Sequence, residues 1–422
     1  MDDERARSAP RGLEERSGPE LASMLPELLL AGHLIDRAGM PHLIGAFGPD
    51  VMRDIAIEEW RGASPVYSKR MQQAMGFEGD TVDTIFKNIQ IDIGAPPQFL
   101  DFRFKLIDAH HGEFWLDHCG ALMDVEPMGD AFVVAMCHEI EDPTFDATAT
   151  ASNPKAQVRP IHRPPRIPTD RTPHCAWTVI IDESHPALPV PEEAKAVAAT
   201  RAARLELDPI DIGASGRSDY SGPLLSDLHF ADFSAPALRR LAEEVCLQGH
   251  LLVLSFLAAT GRRTDTEEQA RALVRHQFTG VAGVAAQRIV RHLRLAEDLD
   301  AAAEVLAWSP GLLPIQYTGC SIELAEGLIV RFDRRAPAFA DGAWPSLLEE
   351  GHLEPLDAIV LAVNPRLRCE VLVSTEAELV IEVVQGVDER PTSQDVRLTE
   401  FSTGADFAFE ERGTPVEIRF SR

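Results

Sequence analysis

The sequence predicts an α+β protein arranged as a tandem duplication. A helical segment is followed by a small antiparallel sheet, and the same order returns in a second copy that lacks the histidines and cysteines of the first. Helical periodicity occupies residues 20 to 88 and again 235 to 308, and each run is followed by short alternating apolar stretches. Short strings match in the same order along the chain. GHLI at 32 to 35 matches GHLL at 249 to 252, EEWRGA at 58 to 63 matches HQFTGV at 276 to 281, and KRM at 69 to 71 matches QRI at 287 to 289. KLIDAHHGEFWLDH at 105 to 118 aligns with SIELAEGLIVRFD at 321 to 333, and TASNPKAQV at 150 to 158 with LAVNPRLRC at 361 to 369. Finally, residues 110 to 175 hold six of the 14 histidines and three of the six cysteines, with no counterpart later.

Residues 1 to 20 are charged and have no apolar core, which predicts a disordered tail, neither a signal peptide nor an anchor. The first module spans 21 to 183. Its helical part has breaks expected at Gly39, Gly48-Pro49 and Gly62, and strands are expected at 99 to 119, 131 to 140 and 177 to 181. Between these strands, residues 143 to 173 are irregular and rich in proline. Residues 184 to 234 read as a linker or a lid over a site. The second module, 235 to 422, has its strands expected at 317 to 333, 358 to 363, 369 to 373 and 379 to 384.

At 422 residues the chain is long enough for two or three cores. A net charge of −27 argues against nucleic acid or an anionic membrane as partner. The longest apolar run, 250 to 260, is too short to span a bilayer and reads as a buried helix. Six scattered cysteines without an export signal point to reduced thiols in the cytoplasm, so their clustering suggests metal binding or catalysis before disulfides.

The reactive residues lie in HHGEFWLDHC, CHEIED, PIHRPPR and PHCAW. On a regular strand His111, Glu113, Trp115, Asp117 and Cys119 share one face, opposite Phe114, Leu116 and His118. Thiolate and imidazole favour zinc or iron, with His111, Cys119, Cys137, His138, His174 and Cys175 as the ligand pool and Glu141 beside it. No familiar metal-binding spacing occurs. A metal-free alternative makes Cys137 or Cys119 the nucleophile, His138, His118 or His174 the base, and Glu139, Glu141 or Asp142 the orienting carboxylate, with Cys137, His138 and Glu141 the preferred set. Taken singly, each cysteine is a small hydrophobe and each histidine a satisfied hydrogen-bonding group. Only the clustering, and its absence from the second module, argues for a site.

Residues 152 to 175 carry Lys155, Arg159, Arg163, Arg166 and Arg171 against Asp170 alone. This basic strip, stiffened by prolines, could clamp the anionic group of a substrate through Arg159, His162, Arg163 and Arg166, with Trp115 in the pocket wall. Pairing with the acidic surface is the competing role.

A helical part, then a histidine-bearing strand ending in cysteine (HHGEFWLDHC), then a cysteine-bearing segment (CHEIED) resembles the bacterial L-2-amino-thiazoline-4-carboxylic acid hydrolase-like group over residues 25 to 180. The resemblance implies a small α+β domain that opens a C–N or C–S bond in a compact carboxylated substrate. The expected function is therefore a metal-assisted or cysteine-dependent hydrolase or lyase on a small anionic molecule. Two alternatives stand beside it: a non-haem iron redox enzyme, and a protein that binds a metal or ligand without turnover.

Overall fold

The computed structural model describes residues 10–400 and 414–416, and residues 1–9 of the expected tail lie outside the described residues. Residues 10–20 depart from the expected tail. Leu13–Glu15 form a 3-10 turn, Leu13 is buried, and the Arg16 guanidinium pairs with Glu304.

The first half begins with α1 (Gly18–Phe47), α2 (Pro49–Ala74) and α3 (Val82–Gln90). Ser17 caps α1 by accepting from the Glu20 N–H while the Glu20 carboxylate accepts from the Ser17 N–H at 2.8 Å. Gly48, at φ +85°, breaks the chain as expected and Pro49 starts the next helix. Gly39 and Gly62 do not break it. Both lie inside helices, where a Cβ would meet Phe256 at 2.8 Å and Ser255 at 2.2 Å, so they let a helix of the second half approach closely.

The expected strand over 99 to 119 is a hairpin, β1 (Leu100–Asp108) and β2 (His111–Cys119). The segment 131 to 140, expected as a strand, is helical. After α4 (Gly120–Val125) come α5 (Asp130–Val134), a π-helical turn (Ala135–Ile140) and α6 (Glu141–Ala149). A short apolar run fits either state by pattern alone. Here Gly129 opens a helix, and Pro143, which has no N–H for the Glu139 carbonyl, follows the widened turn. Within the proline-rich strip lies β3 (Ala156–His162), paired with β4 (Cys175–Ile181), and the sheet order is β1-β2-β4-β3.

The connection carries α7 (Glu192–Ala198) and α8 (Arg201–Arg204). It is fastened to the first half as a strap: Tyr220 N–H donates to the Met75 carbonyl at 2.8 Å, and Arg103 pairs with Asp227 at 2.9 Å. The second half runs α9 (Ala235–Gly261), α10 (Glu267–Leu293), α11 (Leu299–Trp308), α12 (Ile315–Thr318), β5 (Cys320–Leu324), β6 (Leu328–Asp333), α13 (Pro337–Asp341), α14 (Glu354–Val363), β7 (Leu367–Ser374), β8 (Glu378–Gln385) and α15 (Gln394–Thr399). The stretch 358 to 363, expected as a strand, belongs to α14, whose first turn carries Glu354, Pro355 and Asp357. Helix α9 is longer than its apolar run suggests and could cross a bilayer by length and composition, but 89% of its most apolar window is buried inside the protein.

The two sheets have the same antiparallel strand order, β1-β2-β4-β3 and β5-β6-β8-β7. Details repeat as well. Asn153 donates to the Asp80 carbonyl at 3.0 Å and accepts from the Lys155 N–H at 2.9 Å. Asn364 likewise donates to the Glu297 carbonyl at 2.9 Å and accepts from the Arg366 N–H at 2.9 Å. Asp146 accepts from the Val158 N–H at 2.9 Å, and Asp357 from the Cys369 N–H at 2.8 Å. Between the sheets α1 packs on α9 and α10 while α2 packs on α9, so the central helices share one apolar core.

Candidate active site

An apolar cavity of about 120 Å³ lies in the first half. Its walls come from α1, α2, β1, β2, α4 and the π-helical segment leading into α6. Leu100, Phe102, Leu116 and Phe145 supply apolar surface, while His33, Asp36, Arg37, Tyr67, Asp92 and Glu141 bring polar groups to it. Ionisable side chains at so dry a site have shifted acidities, as is common where proton transfer occurs.

Burial pushes Glu141 up to about 8, with the neighbouring Asp142 adding to the effect and Arg163 and Arg37 opposing it. Its carboxyl is therefore divided between protonated and ionised forms near neutral pH. Burial also raises Asp36 to about 6, against the Arg37 charge and hydrogen bonds from Trp60 and Glu59. Glu59 is held well above the carboxylate range by burial and by Asp36, so it carries the proton that it donates to Asp36. Asp92 rises to about 6 by burial, while the Gly94 N–H at 2.6 Å and the Tyr67 hydroxyl at 2.8 Å both donate to it and limit the rise. His33 is kept neutral by burial, at about 3. Arg37 lies 3.2 Å from Asp124 and over the Phe99 ring at 5.4 Å.

The second half reaches into this site without lining it. Gln248 of α9 accepts from the Ile93 N–H at 3.0 Å and donates to the Ile91 carbonyl at 2.9 Å, which fixes the turn that presents Asp92.

Of the residues singled out from the sequence, Glu141 alone lines the cavity. Cys137 lies behind it on the π-helical turn. Burial pushes Cys119 up to about 12 and also raises Cys137 and Cys175, and Glu141 adds to all three shifts, so the thiols lie near the site but are protonated. All six cysteines are free. His138 turns elsewhere: its Nε2 is 2.6 Å from the Pro164 carbonyl, pinning the proline-rich loop.

The expected ligand set does not converge. His111 and Cys119 end the same nine-residue strand, which separates them by roughly 25 Å. Cys119 also leaves the face expected for it. A bulge, with Leu100 opposite Cys119 but Phe102 opposite Leu116, turns it to the buried side with Phe114 and Leu116. His174 is buried, its ring 6.1 Å from His118, and burial lowers it to about 4. None of these residues belongs to a group of three or more ligand atoms within 4.8 Å of one another; among the described residues only His42, His276 and Asp395 form one.

Three arginines of the basic strip are spent on local pairs. Arg159 contacts Asp146 at 2.9 Å, Arg163 pairs with Asp142 and lies 5.8 Å over Trp177, and Arg166 grips Glu126 at 2.6 and 3.0 Å. His162 ends β3 opposite Ala176, and Trp115 lies opposite Arg103 and Ala176 on the outward face of the sheet. None of the five lines the cavity, and neither does any residue of the connection 184 to 234, so the expected lid does not cover it.

Sequence reasoning missed His33, Asp36, Arg37, Glu59, Tyr67 and Asp92. The available signal was a charged trio inside an apolar helix, LLLAGHLIDRAG, whose face is buried nearly all round. No family model, curated protein or solved structure matches the chain.

Proposed function

We propose that the chain is an enzyme that carries out acid–base chemistry on a compact carboxylated molecule in this cavity, as a hydrolase or lyase. The observation that carries the reading is the Glu141 carboxyl: it faces an apolar space and is raised to about 8, so it can both give and take a proton near neutral pH. A space of about 120 Å³ suits a small ring, since a dry cavity of about 150 Å³ takes benzene. Arg37 is the cation at the wall and would hold the substrate's carboxylate in place of the arginines at 159 to 166. The Asp36–Glu59 pair would set the charge beside it.

The resemblance noted above supplies the reaction class, opening of a C–N or C–S ring bond by water. Glu141 would draw a proton from the attacking water and return it to the leaving nitrogen or sulfur. The cysteine-dependent version fits less well, because buried, protonated thiols are poor nucleophiles. Binding without turnover is the second reading, favoured by the predominantly apolar lining of the cavity.

The test is a panel of small cyclic carboxylic acids bearing C–N or C–S ring bonds, with binding and ring opening both followed by NMR. Glu141→Gln is expected to retain binding and lower turnover by about 10²–10⁴-fold. Binding by the wild type with no turnover across the panel supports the second reading. Turnover unchanged in Glu141→Gln refutes the first.

A further inference from the structure

Away from the cavity lining, three side chains from three helices meet. His42 comes from α1, His276 from α10 and Asp395 from α15. Nε2 of His42 is 3.4 Å from one oxygen of Asp395, and Nδ1 of His276 is 3.1 Å from the other. The two imidazoles are stacked, centroids 4.7 Å apart and planes 14° from parallel. All three ligand atoms lie within 4.8 Å of one another.

We propose that His42, His276 and Asp395 bind a divalent transition-metal ion of the zinc or iron(II) class, joining the two halves of the chain. Ligands about 2.0–2.1 Å from a tetrahedral ion stand about 3.3 Å apart, which matches the two nitrogen–oxygen separations. Two imidazoles and one carboxylate on one side of an ion are a preferred set for these metals, and they leave positions open for water or a substrate oxygen. Nε2 of His42 is buried and makes no hydrogen bond, since its 3.4 Å approach to Asp395 is too poorly directed for one. A buried nitrogen without a proton partner suits a metal ligand.

The backbone is built to bring these groups together. Two glycines of α10 let α15 lie against it: a Cβ on Gly280 would meet Thr399 at 2.3 Å and the Asp395 carbonyl at 3.1 Å, and one on Gly283 would meet Val396 at 2.3 Å. Ser393 caps α15, and Gln287 donates to Glu400 at 2.6 Å, fastening its far end. Arg275, the cation beside His276, is occupied by Glu268 at 2.5 Å. Neither histidine has a histidine partner at the position matched in the other half, so the trio is no repeat of a structural element.

The experiment uses the full chain with any affinity tag removed, stripped with chelator, dialysed, and titrated calorimetrically with zinc chloride. Cobalt(II) absorption reports the coordination geometry. One equivalent is expected to bind saturably, with a higher thermal midpoint, and both His276→Ala and Asp395→Asn should weaken binding by at least about 100-fold. His276 is half exposed and Asp395→Asn keeps the side chain's shape, so both variants are expected to fold. No saturable binding in the wild type, or less than about tenfold weakening in the folded variants, overturns the proposal. The outcome is independent of Glu141 and of any turnover in the cavity.

Discussion

The two halves of the molecule share a strand order and the same Asn-Pro turn, yet they treat their central helices differently. Along the matched strings, His33 corresponds to His250, and both are buried and neutral. Asp36 and Arg37 correspond to Val253 and Leu254, Glu59 to Gln277, and Tyr67 to Ala285. The first half therefore encloses acids and a cation where the second has apolar or neutral side chains, all of them buried. Burying an acid in an apolar interior costs free energy unless it is paired or protonated. The second half reaches the same strand order without such acids. Their burial beside the cavity is the strongest structural argument for a working site.

That contrast can be broken most forcefully by moving an acid across. Val253→Asp places a carboxyl at a fully buried position with no partner in the matched pattern. It should lower stability by roughly 3–5 kcal/mol in urea unfolding. A change under about 1 kcal/mol would mean that the second half tolerates the same chemistry, and the contrast would lose its force.

A smaller effect, read as a pH dependence, sharpens the first half's side of the comparison. Glu141 is raised from 4.5 to about 8 in the folded state, so the native protein binds a proton that the unfolded chain has released. Its contribution to stability is fully present below pH 4.5 and is lost as pH rises from about 4.5 to about 8. Urea midpoints of Glu141→Gln should therefore pull ahead of the wild type across that window and run parallel above it. A gap that stays constant with pH would show that Glu141 titrates normally.

The smallest effect belongs to the basic strip. Arg159 is half exposed and pairs with Asp146 on the surface, so Arg159→Ala should change stability by less than about 1 kcal/mol and leave ligand binding untouched. A large loss of binding would return the strip to the site.

Much of the architecture was legible because periodicity and turn residues carry it. The helices from 20 to 88 and 235 to 308, the four strands flanking Gly112 and Gly327, and the break at Gly48-Pro49 all follow from local pattern. The misreadings have a common cause. AFVVAMCHEI and AIVLAV are apolar runs too short to distinguish strand from buried helix, and their state is set by Gly129, Pro143 and Pro355 together with packing against α2 and α10. For the site, side-chain type was a poor guide. Cys119 was turned inward by a bulge and the arginines were taken up by nearby acids, neither of which spacing reveals. Glu141 was legible from its place in CHEIED. Asp36, Glu59 and Asp92 were not, because carboxylates on two helices and a turn look like ordinary surface charge until the fold encloses them.

The bidentate amide of Gln248 gives this arrangement a genetic consequence. The turn bearing Asp92 is held by a side chain encoded some 155 residues later, through the Ile91 carbonyl and the Ile93 N–H. The half that does not line the cavity is thus not free to drift. A neutral-looking change on α9 would alter the acidity of a group it never touches, so sequence variation at the two places should be inherited as a pair.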